Sequence, residues 1–285
     1  MAGMENARDT RRFTALNGLA LAAAVIFALF PLFWLLVSSF KPWWELAHVP
    51  AIWITDQPTL RNYHRVFYPY EDPLGIFQPS SWRAMISSIV ISAVATFLSV
   101  SLGLMAAIAI ARYRTGGNFL PLQILSYRMV PPITLAIPFG VLGVVFGVTS
   151  TPVLLTLIYT VYTLPLSTWM LKSFIEQVPV EIEEAALMDG MSRWWMHLYV
   201  TIPAIRGGLA ATVLFILIVN FSEGAIAMAL AAGNWVTIPV QIAAKAGSPH
   251  VQVAIGTLAA APLIVCGLLI HRHMGRGFTF GAIRS

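Results

Sequence analysis

The residues able to do chemistry in this 285-residue chain are few and scattered. His271 and His273 flank Arg272, a grouping that in other settings would hold a metal or move protons. Here it closes an apolar run with no carboxylate nearby, so cationic anchoring of a helix end is its expected role and no metal site is expected. Cys266 is the lone cysteine, which excludes an intrachain disulfide and a cysteine-built metal cluster. No G-x-x-x-x-G-K-[ST] phosphate loop occurs, so no nucleotide chemistry is expected of this chain. Two polar features remain, both inside apolar runs: Arg128, and the patch Asn220-Phe221-Ser222-Glu223-Gly224. Their chemistry is contact rather than catalysis. An arginine near mid-membrane costs about 2.5–3.5 kcal/mol on insertion scales, so it must meet water or a partner. Arg128 is therefore either a polar contact on a transport path or a side chain that snorkels to the cytoplasmic edge or binds a neighbouring carbonyl. Asn220, Ser222 and Glu223 either line such a path or hydrogen-bond between helices.

Those residues sit in a chain that is 58% hydrophobic and 10% charged, with a mean hydropathy of +0.77. Soluble domains carry about 25% charged residues, so the composition defines an integral membrane protein of several helical spans. Apolar runs place the spans at about 13–40, 84–111, 119–148, 153–174, 207–230 and 251–270, behind an N-terminal tail 1–12. The first run is too long for a signal-peptide core and has no convincing cleavage site, so it is expected to stay as a span. Prolines 131, 132 and 138 interrupt the third run, and carbonyls freed there need partners or a cavity. In the second run Ala95, Ser99, Gly103, Ala107 and Ala111 recur every fourth position. Such a smooth stripe lets helices approach closely, within the subunit or across a subunit boundary.

The net charge of +5 does not point to nucleic acid, because the basic residues are distributed by membrane side. With the N-terminus in the cytoplasm, eleven Lys and Arg fall on the inner side, five on the outer and Arg128 between them. This obeys the positive-inside rule and puts both termini in the cytoplasm. It also puts residues 176–203, the longest polar interruption, on the cytoplasmic side. Within it Pro179 suits a helix start, and Glu181, Glu183 and Glu184 load the first turn with the sign the helix dipole favours. Ile182, Ala185, Ala186 and Asp189 share a face, Gly190 suits a left-handed cap, and Ser192 suits the start of a second helix. A helix this short is marginal alone and is expected to dock.

Glu184-Ala185-Ala186, three residues, Gly190, nine residues and then Val200-Thr201-Ile202-Pro203 resemble the EAA loop of ABC importer permeases. Asp189 also fits that pattern, whereas Val200 and Ile202 depart conservatively from its Ile-x-Leu-Pro ending. The resemblance covers nearly the whole chain from Ala15 and is strongest to the smaller permease of carbohydrate importers of the maltose and polyol type. In the polar patch only Glu223 matches the Trp-Asn-Glu-Phe usual there. The resemblance implies an all-α, type I importer permease of six transmembrane helices in the bacterial inner membrane. It implies a second permease, two ATP-binding subunits that hold ATP and Mg, and an extracytoplasmic solute-binding protein. It further implies that Glu183, Glu184, Ala185, Ala186, Asp189, Gly190 and Pro203 serve coupling to the ATPase. Gly233, Asn234 and Trp235 would begin a loop reaching into the binding protein. An ion-coupled secondary transporter is the alternative. It would show an inverted repeat, and no clear repeat is present.

Overall fold

The computed structural model describes residues 2–72, 75–117, 119–149, 152–230 and 235–274, with side chains from Asn17 to Leu268 among them. Its helices are α1 (Ala2–Ser39), α2 (Trp43–Leu46), α3 (Arg61–Phe67), α4 (Trp82–Tyr113), α5 (Phe119–Ser126), α6 (Pro132–Val145) and α7 (Pro152–Glu176). They continue with α8 (Val180–Met188), α9 (Arg193–Met196), α10 (Ile202–Ala204), α11 (Arg206–Ser222), α12 (Ala225–Leu230), α13 (Ile238–Ala244) and α14 (Pro249–Met274). A two-residue antiparallel ribbon, β1 (Tyr70–Glu71) with β2 (Phe77–Gln78), pairs Tyr70 with Gln78 and Glu71 with Phe77.

Packing divides the chain into two compact units. Residues 1–80 and 245–258 form one, and residues 81–244 with 259–285 the other. In the first, the end of α1 is pinned by buried polar groups. The Asn62 amide donates to the carbonyls of Ser39 and Lys41, at 2.8 Å each. The Lys41 ammonium sits over the Trp34 ring and donates to the Ile52 carbonyl at 2.6 Å. Lys245 likewise donates to Gln78 Oε1 and the Pro79 carbonyl, and burial holds its pKa below the ordinary lysine value, against the raising pull of Asp72. The apolar side chains of α1, such as Phe27 and Ile26, stay exposed, as expected of a helix whose surroundings are lipid.

The second unit is built on the pair α4 and α7. The small-residue stripe proves to pack within this chain: Ala95, Ser99, Gly103 and Ala107 are all buried. Ser167 Oγ donates to the Ser99 carbonyl at 2.8 Å and meets Ser99 Oγ at 3.2 Å. A Cβ on Gly103 would collide with the Ser167 side chain and lie 3.1 Å from the Thr168 backbone nitrogen, so only glycine fits there. α11 lies against both helices. Gly208 gives the Phe174 ring the room a side chain would take.

The third and fifth apolar runs depart from straight spans. α5 and α6 are bent by 90° across Val130 and Pro131. Val130 and Pro131 are extended, with ψ of 124° and 134°, because a residue before proline is driven out of the helical region and proline offers no N–H. The expected continuous helix over 119–148, with Arg128 part-way along it, is thus replaced by a bend with Arg128 in the single 3-10 turn that precedes it. The run at 207–230 breaks too, where α11 ends at Ser222 and Glu223 turns extended (ψ 116°). The Tyr159 hydroxyl donates to the Glu223 carbonyl freed by that break, at 2.9 Å. Four helices are long and apolar enough to cross a membrane singly. Counting each bent pair as one span brings the number among the described residues to six.

Candidate functional site

α8 begins where its sequence says it should. Pro179 caps it in extended conformation, and Val180 is the first helical residue. It ends in a Schellman arrangement: Gly190 N–H donates to the Leu187 carbonyl at 3.0 Å and Met191 N–H to that of Ala186 at 3.1 Å. Gly190 has φ +89°, a value L side chains avoid. No neighbour among the described residues crowds the position, so within this chain the requirement for glycine is conformational.

Beyond the glycine, Ser192 stands at the N-cap of α9, but its side chain caps nothing. Its carbonyl instead accepts the Met196 N–H. The helix then widens into a π turn at His197–Thr201 before α10. Pro203 lies just past that turn, and the segment Arg193–Ala204 meets α11 at 77°. A proline removes a donor and its ring clashes with the preceding turn, which accounts for both the widening and the bend.

Behind α8 lies a buried polar cluster. Arg112 Nε, at the end of α4, is 2.7 Å from Glu183 Oε2, and both side chains are almost wholly buried. Arg112 Nη2 also donates to the Val178 carbonyl at 2.9 Å, just before α8. The Thr201 hydroxyl donates to Glu183 Oε1 at 2.7 Å and lies 3.1 Å from His197 Nδ1. His197 Nε2 is in turn 2.8 Å from the Tyr113 hydroxyl. One carboxylate thus ties three elements together: the end of α4, α8, and the π turn leading to α11. Both carboxylate oxygens have partners, which a buried charge requires.

This separates the expected loop residues into two kinds. Glu184, Ala185, Asp189 and Gly190 are exposed, with Ala186 half-buried and Pro203 exposed at the bend. Ile182 and Met188 stand out beside them, 50% and 87% exposed. Glu183, expected on the coupling surface, is instead turned inward and only 3% exposed, so it holds α8 from behind. The outward face of α8 thus presents Ile182, Glu184, Ala185, Leu187 and Met188. The sequence offered no signal for Arg112, Thr201 or His197. Arg112 read as an ordinary span-ending cation, and its partner lies 71 positions away.

The path candidates meet different elements. The Arg128 guanidinium lies 4.0 Å from the centre of the Tyr162 ring, and its Nη1 is buried with no acceptor among the described residues. It borders a cavity of about 320 Å³ lined by Leu122, Leu125, Ser126 and Met129. Asn220 is buried and donates to Thr96 Oγ1 on α4 at 3.1 Å, an interhelical bond. Ser222 is exposed. Glu223 Oε1 accepts the Ile226 N–H at 3.1 Å and so caps α12. Trp235 packs on the core formed by Ile91, Ile158 and Tyr159. Gly233 and Asn234 lie outside the described residues.

The loop thus lies between the α4–α7 pair and α11 of a helical bundle with membrane-length apolar helices. Residues 99–279 match the family described as the binding-protein-dependent transport system inner membrane component, and the chain belongs to that family. Its relatives include the trehalose/maltose transport system permease protein MalG of Thermococcus litoralis, 31% identical over 91% of this chain and 93% of that protein. The trehalose transport system permease protein SugB of Mycobacterium tuberculosis is also 31% identical, with the same coverage. The inner membrane ABC transporter permease protein YcjP of Escherichia coli is 29% identical over 98% of this chain and 99% of that protein. Among solved structures, a bacterial ABC transporter that imports the acidic polysaccharide alginate superimposes with a TM-score of 0.69. It is 19% identical and covers 93% of this chain and 97% of that one. The chain is therefore a permease subunit of an ABC importer with the type I fold, and the ion-coupled alternative falls away.

Proposed function

We propose that this chain forms half of the translocation path of a sugar importer in the bacterial inner membrane, with both termini in the cytoplasm and α8 as its coupling helix. A second permease supplies the other half. Two ATP-binding subunits, which hold ATP and Mg, act on α8, and an extracytoplasmic binding protein delivers the sugar. The observation that carries the coupling role is the two-sided character of α8. Its inner face is fixed by the Arg112–Glu183–Thr201 cluster, while Ile182, Glu184, Ala185 and Met188 face outward. A force applied to that outer face is passed to α4 and α11 together, because the cluster links it to both. The sugar assignment draws on the relatives, whose names specify trehalose and maltose. The orphaned Nη1 of Arg128 favours a second reading of the cargo, an anionic sugar. A relative from Agrobacterium fabrum, 26% identical, is named for sulfoquinovosyl glycerol transport.

The test is affinity capture of the tagged chain from its native membranes in mild detergent. An ATP-binding subunit and a second permease are expected in the eluate. Glu184→Arg should remove the first and keep the second. Capture of the chain alone, or unchanged recovery of the ATPase from the variant, would refute the coupling role. Binding of trehalose, maltose and a glucuronate-containing disaccharide to the associated binding protein decides the cargo.

A further inference from the structure

The loop has two halves of opposite character, and only α8 is accounted for by coupling. From Val180 to Gly190 the chain carries Glu181, Glu183, Glu184 and Asp189 and no cation. From Met191 to Arg206 it carries Arg193, His197 and Arg206 and no carboxylate. This second half buries Met196, His197 and Thr201 on the cluster. On the opposite face it exposes Trp194 (68%), Trp195 (49%), Leu198 (39%) and Tyr199 (63%), at the spacing of one helical stripe. Trp195 and Tyr199 stack with their ring centres 5.4 Å apart. Water is a poor neighbour for three large aromatic rings side by side.

The bend identifies the medium. Arg193–Ala204 stands at 77° to α11, the 17-residue apolar helix that carries most of the fifth expected span. Spans tilt by about 20° on average from the bilayer normal, so a segment at this angle runs close to the membrane plane at the point where α11 enters it. Tryptophan and tyrosine concentrate at that depth, where an apolar ring body and a polar N–H or O–H are both satisfied. Cations there are attracted by the anionic lipids of the cytoplasmic leaflet. Arg193 and Arg206 bracket the stripe, and both are exposed. We infer that Arg193–Ala204 is an interfacial helix, seated by Trp194, Trp195, Leu198 and Tyr199 in the lipid headgroup layer, with Arg193 and Arg206 selecting anionic headgroups. The coupling loop then bears on two things at once: a protein through α8, and the membrane surface through the segment after it. The inference rests on the cytoplasmic placement proposed above.

The experiment is site-directed spin labelling of the captured transporter in nanodiscs. Cys266 is first replaced by alanine, and single labels are set at Trp195→Cys, Leu198→Cys or Tyr199→Cys, with Asp189→Cys as the reference on α8. At the three stripe positions, collisions with lipid-soluble oxygen should exceed those with a water-soluble nickel chelate several-fold. The order should reverse at Asp189→Cys. Exchanging phosphatidylglycerol for phosphatidylcholine should draw the stripe labels toward water, and Arg193→Gln with Arg206→Gln should abolish that lipid dependence. Nickel access at the stripe equal to that of oxygen would overturn the inference in favour of an aqueous face. Low access to both reagents would overturn it in favour of a protein partner. A depth indifferent to phosphatidylglycerol would overturn the role given to the arginines. Labelling of Asp189→Cys by an impermeant maleimide from outside intact spheroplasts would instead refute the sidedness, a separate failure.

Discussion

The seam between α4 and α7 and the root of the loop that carries α8 are both buried and both polar, yet they are held in opposite ways. The seam joins small neutral residues: Ser99, Gly103 and Ser167 meet through hydroxyl contacts of 2.8 and 3.2 Å and one position where only hydrogen fits. The root joins a full charge pair, Arg112 and Glu183, with Thr201 completing the carboxylate. A seam of small residues depends on close contact along its length, so each bond in it matters little by itself. A buried ion pair depends on both partners being present, because losing one leaves an uncompensated charge. The first arrangement suits helices that move as one body. The second suits a single anchor point through which force is passed.

The largest effect should come from breaking the root on one side. Glu183→Ala leaves Arg112 buried without its carboxylate, at a cost of about 3–5 kcal/mol. A strong fall in melting temperature in detergent is expected, with loss of ATPase capture even though the Glu183 side chain is buried within this chain. Replacing both residues by apolar ones, Arg112→Met with Glu183→Leu, should restore most of the stability. If it restored ATPase capture in full as well, the charge pair would be filler and the contrast with the seam would fail.

Next is the seam itself. Gly103→Val drives two methyl groups into Ser167 and the Thr168 backbone, and over-packing of this kind costs about 1–3 kcal/mol. Because Thr168 presents backbone, the helices must separate rather than one side chain rotate. Thermal denaturation of the purified chain measures it. A variant as stable as the parent would mean that the seam is looser than its geometry.

These two regions also differ in how far the sequence discloses them. The stripe at 95, 99, 103 and 107 is a local pattern with a physical meaning, so the seam is legible from residue spacing alone. Only the identity of its partner, α7, is not. The caps of α8 are equally legible, because Pro179 and Gly190 act through their own backbone preferences. The root is hidden, because nothing local distinguishes Arg112 from the other arginines that end spans, and Glu183 looks like its neighbour Glu184. Which of two adjacent glutamates turns inward depends on where α4 ends in space. The breaks at Val130–Pro131 and Glu223 are half legible. Prolines announce the first. At the second, the patch reads as polar residues inside a helix, whereas Glu223 ends α11 and caps α12.

A third intervention tests the legible part of the loop. Gly190→Ala forces an L side chain to φ +89°, at about 1–2 kcal/mol for a left-handed residue. With nothing crowding the site, the strain is relieved by unwinding the last turn of α8. The expected result is a small loss of overall stability with a larger loss of ATPase capture, whereas Gly103→Val acts on stability first. Equal losses in both measurements would mean that α8 and the seam are one cooperative unit.

The smallest effect should come from Ser167→Ala. It removes the donor to the Ser99 carbonyl and the contact with Ser99 Oγ. A neutral hydrogen bond contributes about 0.5–1.5 kcal/mol net. The Ser99 carbonyl retains the N–H of its own helix, so it is not orphaned when Ser167 goes. The alanine methyl fits a seam built for small residues, and Ala95 and Ala107 already sit in it fully buried. The melting temperature should therefore move only slightly, and ATPase capture should not move at all. Removing one hydrogen bond from the root by Thr201→Val is the matched comparison, since a bond to a charged group contributes about 1.5–3 kcal/mol. If the two variants lost the same stability, the distinction between a seam held by contact and a root held by charge would dissolve. If Thr201→Val lost clearly more, the difference would measure the charge on Glu183, because the two variants remove the same kind of hydroxyl donor.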